Sequence, residues 1–279
     1  ASESTLRRIA SKDLLLNSPT TKDLDTYPWC KHCVLSKMVK LPFPKHSEAR
    51  AESFGDLIHC DIFGPMRPEA VGGFRYAMVL VDDCTRGPFV LLLKHKSEAR
   101  VALQRWQDRT ITRFSKILGK PVSIKRFRTD NAGELTSRAM NDFLFSHRTD
   151  PETTVPGCSP QNGVAERFIY RLTLMARHNL YSYRLPWKLW GKAFQHASTV
   201  CWMLPTDANE GCVSPWQKLT GQKPDINSVR AFGSTAYSYI ELPKRQKIHD
   251  STVSPKLLPA VEVGIYVGQA PITILSINM

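Results

Sequence analysis

The order of apolar runs in the first half of the chain constrains its fold more than any other feature. Three runs are separated only by short turns and predict three consecutive antiparallel strands: 56–62, 74–83 and 87–95. A helical pattern at 98–118 and a fourth strand at 122–130 follow. Strands that give way to alternating helix and strand indicate an α/β core with a mixed sheet.

Three carboxylate side chains lie at positions that this fold is expected to bring close together. Asp61 interrupts the first apolar run, Asp130 ends the fourth strand, and Glu166 falls early in a predicted helix at 161–180, with 35 residues separating it from Asp130. A buried charge such as Asp61 needs an ionic partner or a metal. Three converging carboxylates can hold two Mg²⁺ ions about 4 Å apart, which promote in-line displacement at phosphorus. A solvated surface role is the ordinary alternative for any single Asp or Glu.

The charge balance predicts a polyanionic partner. The chain carries 38 Lys and Arg against 25 Asp and Glu, a net charge of +13, with a pI near 9.5. Phosphate neutralisation supplies most of the non-specific affinity for nucleic acid. An anionic membrane is the other partner class, but no basic amphipathic helix and no apolar run of transmembrane length supports it. Ordinary solubilising charge remains the alternative.

Cysteine usage predicts a reducing, intracellular compartment. The seven cysteines form an odd count and no signal peptide opens the chain, so free thiols are expected rather than a disulfide scaffold. Cys30 and Cys33 form a CxxC, which is half of a tetrahedral Zn²⁺ site. None of residues 1–29 is His, so the other half is missing. Two unliganded thiols are the alternative.

Five ordered sequence blocks carry a family resemblance. They are IHCDIFGP, VLVDDCTR, LLLKHKSEA, RTDNAGE and SPQNGVAER. In this order, with the 35-residue gap, they resemble the integrase region of a copia-type retrotransposon Pol polyprotein, from about residue 30 to about residue 269. The resemblance implies an RNase H-like mixed five-stranded sheet with flanking helices. It also implies trimming of DNA 3′ ends and their transfer to target DNA, with Mg²⁺ or Mn²⁺ held by Asp61, Asp130 and Glu166.

The resemblance also implies three domains. Residues 1–40 correspond to a truncated zinc-binding module, 41–222 to the catalytic core, and 229–279 to part of a small SH3-like β-barrel. In the family a His pair precedes the CxxC. Zn²⁺ is therefore expected at Cys30 and Cys33 only if the missing His pair is supplied.

Six further residues are candidates for nucleic-acid binding, as side chains beside the second carboxylate or on the Glu166 helix. Amides, helix N-terminal N–H groups and guanidinium groups are suited to phosphate contact. An Asx turn is the alternative for the first of them, and a plain connector for the loop before the helix. The six are Asn131, Gln161, Asn162, Arg167, Arg171 and Arg177.

Other polar and aromatic residues of the core are expected to be structural. His59 shares a strand face with Asp61, and a satisfied core histidine is the favoured interpretation. Asp82 and Asp83 form a second acidic pair at a strand end, interpreted as structural. Three tryptophans with apolar neighbours are expected in the core: Trp187, Trp190 and Trp202.

Three functional readings follow. The first is an integrase with polynucleotidyl transferase and endonuclease activity. The second is an inactive nucleic-acid-binding remnant, suggested by departures from the family pattern at Ala132 and at 168–171. The third is an RNase H-type hydrolase, which the SPQNGVAER block disfavours. The expected partners are element and target DNA, RNA as a further candidate, and other copies of the chain. The resemblance implies a nuclear destination after a cytoplasmic particle stage.

Overall fold

The computed structural model describes residues 3–12, 20–25, 50–130, 133–153 and 163–242, and in the tail 244–245, 252, 254, 256, 258–268 and 274–276. The chain divides into two compact units, 1–47 and 48–279. The first contains α1 (Glu3–Lys12) and α2 (Thr21–Asp25), joined by an ion pair between Arg7 and Asp25 at 2.7 Å. In the described part of the chain, no helix has the length and apolar character needed to cross a membrane.

The second unit is built on a mixed five-stranded sheet. Its strands are β1 (Ile58–Phe63), β2 (Tyr76–Asp82), β3 (Pro88–Leu93), β4 (Arg126–Thr129) and β5 (Asp150–Thr153), in the spatial order β3-β2-β1-β4-β5. β1, β2 and β3 form an antiparallel meander, whereas β4 pairs parallel to β1 and β5 parallel to β4. The predicted α/β core with a mixed five-stranded sheet and flanking helices is therefore confirmed.

The part of the second unit that the structure describes also contains five α-helices: α3 (Ala99–Leu118), α4 (Arg138–Ser146), α5 (Gly163–Ser182), α6 (Trp190–Met203) and α7 (Pro215–Thr220). Successive strand residues point to opposite faces, so each face has its own core. On one face Cys60 and Met78 pack with residues of α3 and α4. On the other, Val79 packs with Leu172 of α5 and Ala193 of α6. The Asp61 side chain belongs to this second face.

One strand starts later than the sequence predicts, and one strand was not predicted from the sequence patterns. β4 starts at Arg126 instead of residue 122, and β5 is the missed strand. β5 is short, contains Pro151 and has no buried residue, so it lacks the apolar alternation that identifies a strand. β5 is a strand because its backbone pairs with that of β4.

The tail forms a separate three-stranded antiparallel sheet. It comprises β6 (Thr235–Tyr239), β7 (Val261–Tyr266) and β8 (Ile274–Ser276), with β7 in the centre. The SH3-like β-barrel, the zinc-binding module and the three domain boundaries stay predictions.

The tryptophan prediction was wrong for one of three residues. Trp190 and Trp202 are buried, but Trp187 is 50% exposed. Trp187 lies in a 3₁₀ turn, Trp187–Leu189, that joins α5 to α6, and this turn buries Leu189 instead.

Candidate active site

The register of two parallel strands places Asp61 beside Asp130. Cys60 of β1 is level with Thr129 of β4, and each precedes one of the two aspartates. His59 and Arg128, one pair earlier, lie on the same sheet face as the aspartates because side chains alternate. That face is the one covered by α5.

The electrostatic environment of Asp61 links it to both other carboxylates. Burial is the main cause that raises the pKa of Asp61 to about 6, and the charge of Asp130 adds to it. The Ile62 N–H group lowers the pKa, Glu166 raises it and Lys96 lowers it. The negative charges of Asp130 and Glu166 therefore both act at the Asp61 carboxyl group.

Glu166 is an exposed residue in the first turn of α5. Its neighbour Ala165 is fully buried against the sheet, so the backbone at Glu166 is fixed although the carboxylate reaches solvent. Glu166 therefore presents its carboxylate from the first turn of α5, where its charge acts on Asp61.

The carboxylates fit a hard divalent cation by donor type. Mg²⁺ and Mn²⁺ prefer carboxylate oxygens, and a cation would relieve the repulsion that raises the pKa of Asp61. Within the described ranges, no group of three or more His, Cys, Asp or Glu side chains is already gathered closely enough to hold a metal ion.

A buried polar network lies behind Asp61 on the same face. His59 Nε2 is 2.9 Å from Asp83 Oδ1, and Arg86 Nη1 is 2.8 Å from the same oxygen. The Ala51 N–H group donates to Asp83 Oδ2 at 2.8 Å. Burial alone would raise the pKa of Asp83, but His59, Ala51 and Arg86 outweigh it and hold that pKa well below its usual range. The structural interpretation of Asp83 is confirmed. His59 is buried as expected, but its Nδ1 atom has no hydrogen-bond partner among the described residues, so it is not the fully satisfied core histidine that the sequence predicted.

Asp82 has a different set of partners. Its carboxylate accepts hydrogen bonds from the Gly55 N–H group at 2.9 Å and from the N–H and hydroxyl groups of Thr85, each at 2.7 Å. These bonds anchor the β2–β3 turn, so the structural interpretation of Asp82 is confirmed as well.

Glu152 joins β5 to β4 next to Asp130. Arg126 Nη1 donates to Glu152 Oε1 at 3.1 Å, and Arg128 Nε donates to Glu152 Oε2 at 2.9 Å. The three side chains are partly exposed. Sequence analysis missed this contact because β5 itself was not anticipated; the alternating Arg-x-Arg was the available signal.

The predicted nucleic-acid residues fall into two groups. Arg167 and Arg177 are exposed on α5, and Arg171 is partly exposed. Arg167 Nε donates to the Gly163 carbonyl oxygen at 3.2 Å, and this bond holds the guanidinium group against the first turn of α5. Asn131, Gln161, Asn162, Cys30 and Cys33 lie outside the described residues.

Comparison with known proteins agrees with this geometry. The family model described as "Integrase core domain" matches residues 52–159, which contain Asp61 and Asp130. The Pol polyprotein of transposon TNT 1-94 from Nicotiana tabacum is 29% identical over 267 residues. That of transposon RE2 from Arabidopsis thaliana is 26% identical over 245 residues.

The chain is therefore similar to the integrase region of copia-type Pol polyproteins. The matches cover 94% and 88% of this chain but only 18% and 16% of the two polyproteins. The chain thus spans less than a fifth of the length of the curated relatives it matches.

A solved structure has the same fold. An integrase chain in a simian T-cell lymphotropic virus intasome, bound to the PP2A regulatory subunit B56 gamma, superposes with a TM-score of 0.57 at 17% identity. The match covers 96% of this chain and 90% of that chain. This likeness establishes the fold alone.

Proposed function

We propose that this chain is a polynucleotidyl transferase that trims DNA 3′ ends and joins them to target DNA, with Asp61, Asp130 and Glu166 as its catalytic residues. The observation that carries the proposal is the parallel register of β1 and β4, which places Asp61 and Asp130 on the sheet face that is covered by α5, the helix that carries Glu166. Integrase ancestry supports the reaction class.

Asp61, Asp130 and Glu166 would hold Mg²⁺ or Mn²⁺, which when bound activates an attacking oxygen and stabilises the leaving one. The remaining tasks belong to the protein. β1 and β4 fix the two aspartates side by side, and the Glu152 contact with Arg126 and Arg128 keeps β5 on β4. Arg167 and Arg171 supply positive charge for the DNA backbone beside Glu166.

Neighbouring side chains are unsuited to act as protein nucleophile or general base. Burial is the main cause that raises the pKa of the Cys60 thiol well above its usual value, and the thiol points into the opposite core. His59 is buried and already bonded to Asp83. The attacking group is therefore a water molecule or a DNA 3′-hydroxyl group, as expected for chemistry carried by metal-bound carboxylates.

The proposal extends to partners and location. Element DNA and target DNA are the substrates, and several copies of the chain act together, because integration joins two DNA ends. The structural relative comes from an intasome, which supports this assembly. The nucleus is the proposed site of action. Zn²⁺ at Cys30 and Cys33 requires two ligands from outside residues 1–29.

The direct test is the reverse reaction, in which a branched oligonucleotide duplex is resolved in the presence of Mn²⁺ or Mg²⁺. Glu166→Gln serves as the inactive variant because it keeps the shape and removes the charge. Asp108→Asn, which removes the charge of an exposed carboxylate on α3, is the matched control. Metal-dependent resolution that Glu166→Gln abolishes and Asp108→Asn retains supports the proposal.

The alternative is a non-catalytic nucleic-acid-binding remnant. The replacement of the family's usual Asn-Arg-Thr by Ile169, Tyr170 and Arg171 favours it. Duplex binding by a folded protein without turnover, at any Mn²⁺ concentration, would establish this alternative and overturn the catalytic proposal.

A further inference from the structure

The region after Glu166 has an unusual charge pattern. From residue 167 to residue 206 the chain contains no Asp or Glu. The same stretch contains six basic residues: Arg167, Arg171, Arg177, Arg184, Lys188 and Lys192. Among the described residues, none of the six forms an ion pair with a carboxylate. This part of the surface therefore presents uncompensated positive charge.

Exposed aromatic side chains lie among these basic residues at the connection between α5 and α6. Tyr181 is 66% exposed, Trp187 50% and Tyr183 44%. Tyr181 and Trp187 meet edge to face, with ring centroids 5.4 Å apart and planes at 77°. In an edge-to-face pair, one of the two rings contacts its partner only through its edge, so the faces of that ring stay free of the partner. We call Tyr181, Tyr183, Trp187, Arg177, Arg184 and Lys188 the elbow patch.

The backbone beneath the elbow patch is fixed. The Arg184 N–H group donates to the Tyr181 carbonyl oxygen at 3.1 Å, and Arg184 takes a left-handed conformation with φ of 48°. The Val71 N–H group donates to the Lys188 carbonyl oxygen at 2.9 Å. Tyr183 packs on the Gly233 backbone, where a Cβ atom would lie only 2.7 Å from its ring. The backbone that carries the exposed rings is thus held in place, and so is the Tyr183 ring.

We propose that the elbow patch binds an unpaired nucleic-acid strand. Cationic side chains beside open aromatic faces are the combination that grips single strands, because phosphates meet the cations and bases stack on the rings. A duplex buries its base faces and cannot use the rings. Both single-stranded DNA and single-stranded RNA carry this chemistry.

The elbow patch is distinct from the candidate active site. Tyr181 lies fifteen residues after Glu166 on α5, so the two are about 22 Å apart along the helix. A strand held at the elbow patch therefore contacts the protein well away from the three carboxylates. The proposal does not depend on catalysis, and an inactive chain would bind in the same way.

The test is a binding titration of the intact chain with labelled 15-nucleotide single-stranded DNA, single-stranded RNA and a blunt DNA duplex. Tyr181→Ala and Trp187→Ala are each expected to weaken binding of a single strand about tenfold. Trp187→Phe keeps an aromatic face and should restore most of the affinity. Tyr237→Ala removes a ring that is 70% exposed elsewhere, on β6, and is the matched control.

Two further readouts separate stacking from charge. Duplex binding should be unchanged by Tyr181→Ala, whereas Arg184→Gln should reduce the salt dependence of single-strand binding by about 0.7 in logarithmic slope. If the alanine variants bind only single-stranded DNA or only single-stranded RNA more weakly, that nucleic acid is the one that binds the elbow patch. Thermal unfolding of each variant confirms that it is folded.

Three results would overturn the proposal. They are unchanged single-strand binding in both alanine variants, equal weakening for duplex and single strands, and loss of self-association in sedimentation with nucleic-acid binding intact. The last result would identify the elbow patch as a protein-binding surface. The titrations measure binding without turnover, so a failure of the catalytic proposal does not alter their outcome.

Discussion

Asp61 and Asp130 directly follow Cys60 and Thr129, which are level with each other on two parallel strands. This relationship makes the candidate site a property of the sheet itself. A parallel neighbour places the next residue of each strand on the same face, so two carboxylates meet without any loop having to position them. Glu166 then needs only the packing of α5 on that face.

Replacing Asp61 should stabilise the metal-free protein. Asp61→Asn removes a partly buried charge that lies near two like charges, and we expect a gain of about 1 kcal/mol in the free energy of unfolding. Urea denaturation at pH 7.5 in EDTA measures it. Asp108→Asn, at an exposed position on α3, is the control and should change little.

The same variant tests metal binding. Mg²⁺ or Mn²⁺ should raise the melting temperature of the unchanged chain, because a ligand that binds only the folded state stabilises it. The same cations should raise the melting temperature of Asp61→Asn clearly less. An equal gain in both proteins would mean that the cations bind elsewhere.

Replacing Asp83 should have the opposite effect on stability. Asp83→Asn leaves Arg86 buried without its carboxylate and weakens the bond to His59, so we expect a loss of about 3 kcal/mol. Glu241→Gln breaks an exposed pair with Lys244 and should cost less than about 0.5 kcal/mol. Chemical denaturation of both variants provides the comparison, and similar losses would contradict the network's role.

The low pKa of Asp83 predicts that the folded state loses part of its stability at acid pH. Its pKa is below the unfolded value of 3.8, so its contribution to stability is fully present above about pH 4 and is lost as the pH falls towards the lower folded pKa. Denaturation midpoints measured from pH 6 to pH 2 should therefore fall less steeply in Asp83→Asn. A parallel fall in both proteins would show that other groups account for the acid limb.

Gly87 should not tolerate a larger side chain. A Cβ atom at this position would lie 2.3 Å from the Trp202 ring, which is buried and donates through Nε1 to the Pro88 carbonyl oxygen at 2.7 Å. Gly87→Ala should therefore cost about 1–3 kcal/mol through overpacking. At Gly133 an added Cβ meets nothing within 4 Å, so Gly133→Ala is the control for the same substitution. Thermal unfolding distinguishes them.

The sequence predicted most of the sheet and the strand positions of the two aspartates. Apolar runs at β1, β2 and β3 are long and bounded by turn residues, so periodicity was sufficient there. The isolated charge of Asp61 in such a run was itself informative. The resemblance to copia-type integrases supplied the five-stranded plan.

Features that depend on tertiary pairing were not predictable in the same way. β5 has no apolar pattern and exists through its parallel pairing with β4, so Glu152 and its two arginine partners were missed. The exposure of Trp187 was missed because an apolar neighbourhood in sequence does not reveal that a 3₁₀ turn rotates this ring outward. The His59–Asp83 pair joins neighbouring strands and needed the observed register.

Joint action of the three carboxylates is best tested by the resolution of a branched oligonucleotide. The protein and its Glu166→Gln variant are compared in Mn²⁺ and in EDTA. We expect metal-dependent resolution by the unchanged chain and at least a hundredfold loss in Glu166→Gln, which is the order of effect expected for deleting one transition-state contact. Equal rates in the two proteins, or no turnover by a folded and DNA-bound chain, would contradict it.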